Sequence, residues 1–137
     1  MKGPDEIQRG LVRQWVEKAD QDLAAAEILL KSDCRLPAVI AFHSQQAVEK
    51  YLKALLVRYQ IHFPKTHDIG VLLSLISTIE PGVASSLDGT VALNPFGVEV
   101  RYPGDGLELL PGEEEEIVEM ARRTRDEVRS LLSSYLS

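Results

Sequence analysis

Apolar residues recur at steps of three and four along most of this chain, which is the period of an α-helix buried on one side. From Leu11 to about Lys31 the inward series is Val12, Trp15, Ala19, Leu23, Ala26 and Leu30, with Glu17, Lys18, Gln21 and Glu27 more exposed. Asp22 breaks the pattern, because its helical angle places it between Trp15, Ala26 and Leu29. An unpaired charge on an apolar face is costly, so Asp22 is expected to meet a partner on a neighbouring helix.

The stretch that organises the chain is LPAVIAFHSQQAVEKYLKALLVRY, Leu36 to Tyr59. On a helix, Ala41, Val48, Leu52, Leu55 and Tyr59 share a narrow apolar arc, which Ile40, Ala47, Tyr51 and Ala54 widen. Gln46, Glu49, Lys50 and Lys53 share another arc, at spacings of three, four and seven. A carboxylate, two ammonium groups and an amide are thus packed over two turns of a largely hydrophobic helix.

Further along, Pro64 blocks continuation of that helix and Thr66 is placed to cap the next. A short third helix from His67 to about Thr78 turns Ile69, Leu72, Leu73 and Ile76 inward, and Glu80-Pro81-Gly82 ends it. Val83, Leu87 and Val91 suggest a weaker fourth helix to Leu93, interrupted by Asn94, Pro95 and Gly97. FGVEVRYPGDG reads as a last helical turn or irregular chain rather than a strand, since a lone strand has nothing to pair with. The final helix runs from Glu113 to about Leu136, its four glutamates at the end where the helix dipole favours negative charge. Its inner stripe is Ile117, Met120, Ala121, Thr124, Val128, Leu131 and Tyr135. The expected fold is therefore all-α: an antiparallel bundle of four to five helices in a single domain over residues 11–137, after a flexible lead-in at 1–10.

Composition narrows the function. A length of 137 residues, 45% hydrophobic and 26% charged, suits one globular domain. A net charge of -6 argues against indiscriminate duplex DNA binding, yet permits a local basic site. Cys34 is the single cysteine, which excludes a disulfide framework and a zinc cluster and suits a reducing cytoplasm. The start MKGPDEIQRG has no apolar core of a secretory signal, and no stretch approaches the roughly 18 apolar residues of a membrane span. The expected location is cytoplasmic.

No glycine-rich phosphate loop, HExxH, CxxC or GxSxG is present, and His43, His62 and His67 are scattered. No catalytic set, metal site or resident cofactor is expected, beyond a nucleotide arriving with or without magnesium. The chemistry lies in the polar arc, in His67, and in Arg101-Tyr102 before Pro103. Lys50 and Lys53 are a turn apart and can both meet a phosphate. Gln46 suits a base edge or ribose, Arg101 a bidentate phosphate contact, and Tyr102 stacking. Structural readings stand beside these: Glu49–Lys53 as an ordinary i,i+4 pair, and His67 as a cap or packing residue.

AFHSQQAVEKYLKALL, KTHDIGVLL and VRYPG, in this order and spacing, resemble the HEPN domain family, as does WVEKADQDLAAAEILL on the first helix. The name abbreviates higher eukaryotes and prokaryotes nucleotide-binding, and the resemblance covers about residues 11 to 135. It implies a bundle of four or five helices, commonly a homodimer, and in prokaryotes often paired with a minimal nucleotidyltransferase in a two-part, toxin–antitoxin-like system. By motif position it places Gln46, Glu49, Lys50 and Lys53 on the family's polar helix face, with His67 beside them. Arg101 and Tyr102 fall at the end of the fourth helix, and Asp22 at the acidic position of the first. RNase members carry Arg, four to six residues, then His. Here Arg58 to His62 has only three residues between, and no histidine follows His67. The resemblance thus implies a non-nuclease member: a nucleotide-binding module or an accessory subunit of a nucleotidyltransferase. The alternatives are a metal-independent RNase toxin using His67 with Arg101, and a purely structural dimeric module.

Overall fold

The computed structural model describes residues 2–97 and 108–137, and all regular structure within them is helical. The helices are α1 (Pro4–Lys31), α2 (Pro37–Arg58), α3 (Ile69–Ile76), α4 (Pro81–Ser86) and α5 (Glu113–Leu136). A 3-10 segment, Asp88–Gly97, follows α4. The all-α bundle expected from periodicity is what forms.

Helix α2 is the axis. Packing against α1, α5, α3 and the 3-10 segment surrounds it, and its buried residues run almost without a break from Ala47 to Leu56. Every residue of its expected apolar arcs is buried except Tyr59, which is half-buried. Val12, Ala19, Leu23, Ala26 and Leu30 of α1 close one side, and Ile117, Val118, Ala121, Val128 and Leu132 of α5 another. Each fully buried Leu, Ile or Val in this core contributes about 1.5–3 kcal/mol relative to exposure.

Several boundaries differ from the expected ones. Helix α1 begins at Pro4 rather than Leu11, so most of the expected lead-in is helical. Pro4 suits the first turn, where its missing N–H costs nothing, and Asp5 and Glu6 complement the dipole. These turns are also tied down: Gln8 donates to the carbonyls of Val57 and Arg58, and Arg9 to that of Tyr135. Helix α3 starts at Ile69 and is capped by Asp68, whose Oδ1 accepts from Gly70 N at 2.8 Å. Thr66, the expected cap, instead accepts from the amide of Asp68. The weak fourth helix divides into α4 and the 3-10 segment, and Val91, expected inside, is exposed.

Two polar ties hold helices in register. Arg35, in the turn before α2, reaches Glu114 at 3.1 Å and Glu115 at 2.8 Å, so the acidic start of α5 also anchors the α1–α2 connection. Tyr51 donates its hydroxyl to Asp20 Oδ1 at 2.5 Å, and Asp20 Oδ2 takes Arg129 of α5 at 3.0 Å. Burial, reinforced by that carboxylate, raises the Tyr51 phenol well above its ordinary range.

Candidate functional site

Helix α2 turns its polar arc toward α1 on one side and toward the segment before α3 on the other. The arc divides into two units of the same composition. In the first, Asp22 of α1 bridges Lys50 Nζ at 2.6 Å and His43 Nδ1 at 2.9 Å. In the second, Glu49 Oε1 bridges Lys53 Nζ at 2.7 Å and His67 Nδ1 at 2.9 Å. Each unit is one carboxylate holding one ammonium and one imidazole.

The partner expected for Asp22 is therefore found on α2, in Lys50 and His43 together. Its unit is partly open, with side-chain exposures of 13% for Asp22, 25% for Lys50 and 30% for His43. The second unit is graded more steeply. Glu49 and Lys53 are almost closed off, at 3% and 9%, while the His67 side chain is 78% exposed. The buried pair is thus not the solvent-screened i,i+4 pair that spacing alone suggests; its charges are held in a low-dielectric setting where satisfaction matters more.

That satisfaction is built from several elements. Glu49 Oε2 accepts from the Gln45 amide at 3.2 Å, and the same amide reaches the His67 carbonyl at 3.3 Å. Gln46 donates to Gln45 Oε1 at 2.7 Å, so it orients Gln45 while lying half-buried itself. The Lys53 ammonium stands 5.5 Å from the centre of the Trp15 ring and 6.0 Å from that of Phe63, both within cation–π range. Trp15 also lines, with Leu11, Gln14 and Lys18, a cavity of about 160 Å³. Gly97 backs the site closely: a Cβ there would lie 2.8 Å from Gln45 Cδ.

Of the sequence-predicted residues, Asp22, Glu49, Lys50, Lys53 and His67 are brought into these two units, and Gln46 joins them only through Gln45. Arg101 and Tyr102 lie outside the described residues. His43, Gln45, Trp15 and Phe63 belong to the arrangement and were not singled out from sequence. His43 carried a readable signal, since it precedes Lys50 by two helical turns and so shares its face. Gln45 carried only its i,i+4 spacing to Glu49, because its other neighbours, the His67 carbonyl and Gly97, are far from it in the chain.

The chemistry available follows from the imidazoles. A ring that meets a carboxylate through Nδ1 is fixed in orientation and presents Nε2 outward. Among the described residues none bonds Nε2 of His43 or His67. No group of three or more His, Cys, Asp or Glu side chains among them is placed to hold a metal ion, and no described helix is long and apolar enough to cross a membrane.

A family model described as HEPN domain matches residues 12–135. No curated protein and no solved structure matches the chain. The match begins in the first inward residues of α1 and ends at Tyr135 of α5, enclosing both carboxylate units and the whole bundle core. This all-helical chain belongs to the HEPN domain family.

Proposed function

We propose that this chain is a binding module without nuclease chemistry, which receives the phosphate groups of a nucleotide either free or carried by a nucleotidyltransferase partner. The observation that carries the reading is the partly open unit of Lys50 and His43 held by Asp22, together with the exposed His67 held by Glu49, while Lys53 lies closed off behind them. Positioning cations with buried or half-buried carboxylates reduces the entropy lost when a ligand is bound. Trp15 adds an aromatic ring at the same place, with the Lys53 ammonium over it. The absence of Arg, four to six residues, then His supports a non-nuclease assignment. An exposed free cysteine, Cys34, suits a reducing cytoplasm, and a homodimer is the expected assembly.

Isothermal titration with ATP and GTP, with and without magnesium, tests the reading alongside a sizing run. Micromolar binding that Lys50→Ala abolishes while the fold persists supports it. No heat and no thermal stabilisation at millimolar nucleotide overturns it and leaves the two units as an internal ion-pair network that serves packing or partner docking.

A second reading has one observation in its favour. Glu49 orients His67 through Nδ1 as a carboxylate orients a general base, and the His67 side chain is largely exposed. RNA cleavage by purified protein that is lost in His67→Gln would establish it; cleavage unchanged in that variant would remove it.

A further inference from the structure

The fixed charges of the two carboxylate units cancel, since Asp22 and Glu49 are negative and Lys50 and Lys53 positive. Lys18 is a further cation on the same flank of α1, one turn before Asp22 and about 6 Å from it along the axis. It is exposed, and it has no hydrogen bond or ion pair among the described residues. A solvated lysine is by itself an ordinary surface feature. Lys18 differs because it lines the cavity of about 160 Å³ together with Leu11, Gln14 and Trp15.

The four lining residues offer four kinds of contact. Leu11 gives an exposed apolar side chain. Trp15 gives an indole whose ring centre stands 5.5 Å from the buried Lys53 ammonium. Gln14 adds an exposed amide, donor and acceptor at once, that has no partner among the described residues. Lys18 adds the ammonium. A fatty chain would cover the amide and leave it unsatisfied, which is costly. An inorganic anion would use Lys18 and leave the apolar part empty. A planar heteroaromatic ring that carries an anionic group uses all four, and a nucleotide is such a molecule. Volume limits how much of it enters. Sites that enclose a whole drug-sized ligand measure about 300–1,000 Å³, so this smaller cavity takes one ring system and leaves the phosphates at its mouth.

Resting on the binding role proposed above, we infer that this cavity is the base subsite for the nucleotide. The base lies against Trp15 and Leu11, Gln14 bonds its edge, and Lys18 takes the phosphate nearest the sugar. The remaining phosphates run toward Lys50 and His43, which Asp22 holds one turn further along α1. Gln14 and Lys18 are then ligand-contacting residues, and Lys53, behind the indole, is a positioning residue.

Trp15 is the one tryptophan of the chain, so its emission reports on this cavity alone. Titration with ATP, followed by fluorescence and by calorimetry, is compared with inorganic tripolyphosphate, which has the charge and no base. ATP is expected to change the Trp15 emission and to bind about fivefold or more tightly than tripolyphosphate, which leaves the emission as it was. Lys18→Ala should weaken both ligands by about fivefold or more, and Gln14→Ala should weaken ATP alone. Both substitutions are at exposed helix positions, and thermal melts confirm that each variant is folded. Trp15 emission that ATP does not change, equal affinity for the two ligands, or full ATP affinity in both variants each overturns this inference and leaves the binding role standing. Absence of binding by either ligand at millimolar concentration overturns both.

Discussion

The Glu49 carboxylate lies 2.7 Å from the Lys53 ammonium, one helical turn away, and both side chains are shut away from solvent. Removing one member of such a pair leaves a buried charge with diminished compensation, whereas removing both need not. Lys53→Met should therefore lower stability by about 3–5 kcal/mol. The double variant Glu49→Gln, Lys53→Met should recover at least half of that loss. Urea denaturation of the four proteins of this cycle measures the coupling; additive losses would show that the pair is screened after all.

A backbone approach makes a second prediction. The missing side chain of Gly97 is where the Gln45 carboxamide sits, with a hypothetical Cβ 2.8 to 2.9 Å from its three terminal atoms. Gly97→Ala should cost about 1–3 kcal/mol by forcing that amide to move. Because Gln45 bonds both Glu49 and the His67 carbonyl, the His67 ring resonances should shift in an NMR spectrum as well. Unchanged stability and unchanged resonances would show that Gln45 has room to turn.

The cap of α3 separates two residues that sequence alone ranks the other way. Asp68 Oδ1 accepts from Gly70 N at 2.8 Å and from Asn94 at 2.9 Å, whereas Thr66 bonds only the Asp68 amide. Asp68→Ala should cost about 1–2 kcal/mol and Thr66→Ala less. Melting temperatures of the two variants, compared side by side, decide the order.

Alkaline pH should expose the Tyr51–Asp20 bond. Tyr51 has its folded pKa raised above its unfolded value near 10.0, first by burial and then by the Asp20 carboxylate. The folded state therefore holds the phenolic proton that the unfolded state loses, and stability falls as pH rises above that value. The contribution is complete below about pH 10 and declines by up to about 1.4 kcal/mol per pH unit above it. Tyr59 is raised too, by burial and Glu80, so the comparison uses Tyr59→Phe as the background. Adding Tyr51→Phe should flatten the loss of stability between about pH 10 and 11.5. An equal slope with and without Tyr51 would contradict the assignment.

One buried group points the other way. Ser44 is fully buried and its hydroxyl has no hydrogen-bond partner among the described residues. Ser44→Ala removes an unsatisfied polar atom at little cost in volume, so it should leave stability unchanged or raise it by up to about 1 kcal/mol. A clear loss in a thermal melt would mean that the hydroxyl is satisfied in solution.

The helix-forming periods of the chain were readable because burial on one side of a helix leaves a record every three or four residues. Ala19, Leu23, Ala26, Val48, Leu52, Leu55, Ile69, Leu72 and Ile76 all lie where that record puts them. The anomaly at Asp22 was equally readable, since a carboxylate on an apolar face demands a partner whatever the fold. The start of α1 was less so, because its anchors are the carbonyls of Val57, Arg58 and Tyr135, far away in the chain.

By itself, then, the sequence determined the helices, the core and the membership of Gln46, Glu49, Lys50 and Lys53 in one face. Periodicity reports only the angle of a residue around its own helix. Tertiary structure alone decided that Lys50 turns to Asp22, that the Glu49–Lys53 pair is buried, with Lys53 under Trp15 and Phe63, and that His43 and His67 occupy matching positions. Those outcomes depend on which neighbours arrive from other helices and how completely they exclude water. Solvent exclusion is a property of the packed bundle, and it separates a screened surface pair from a buried one of the same spacing.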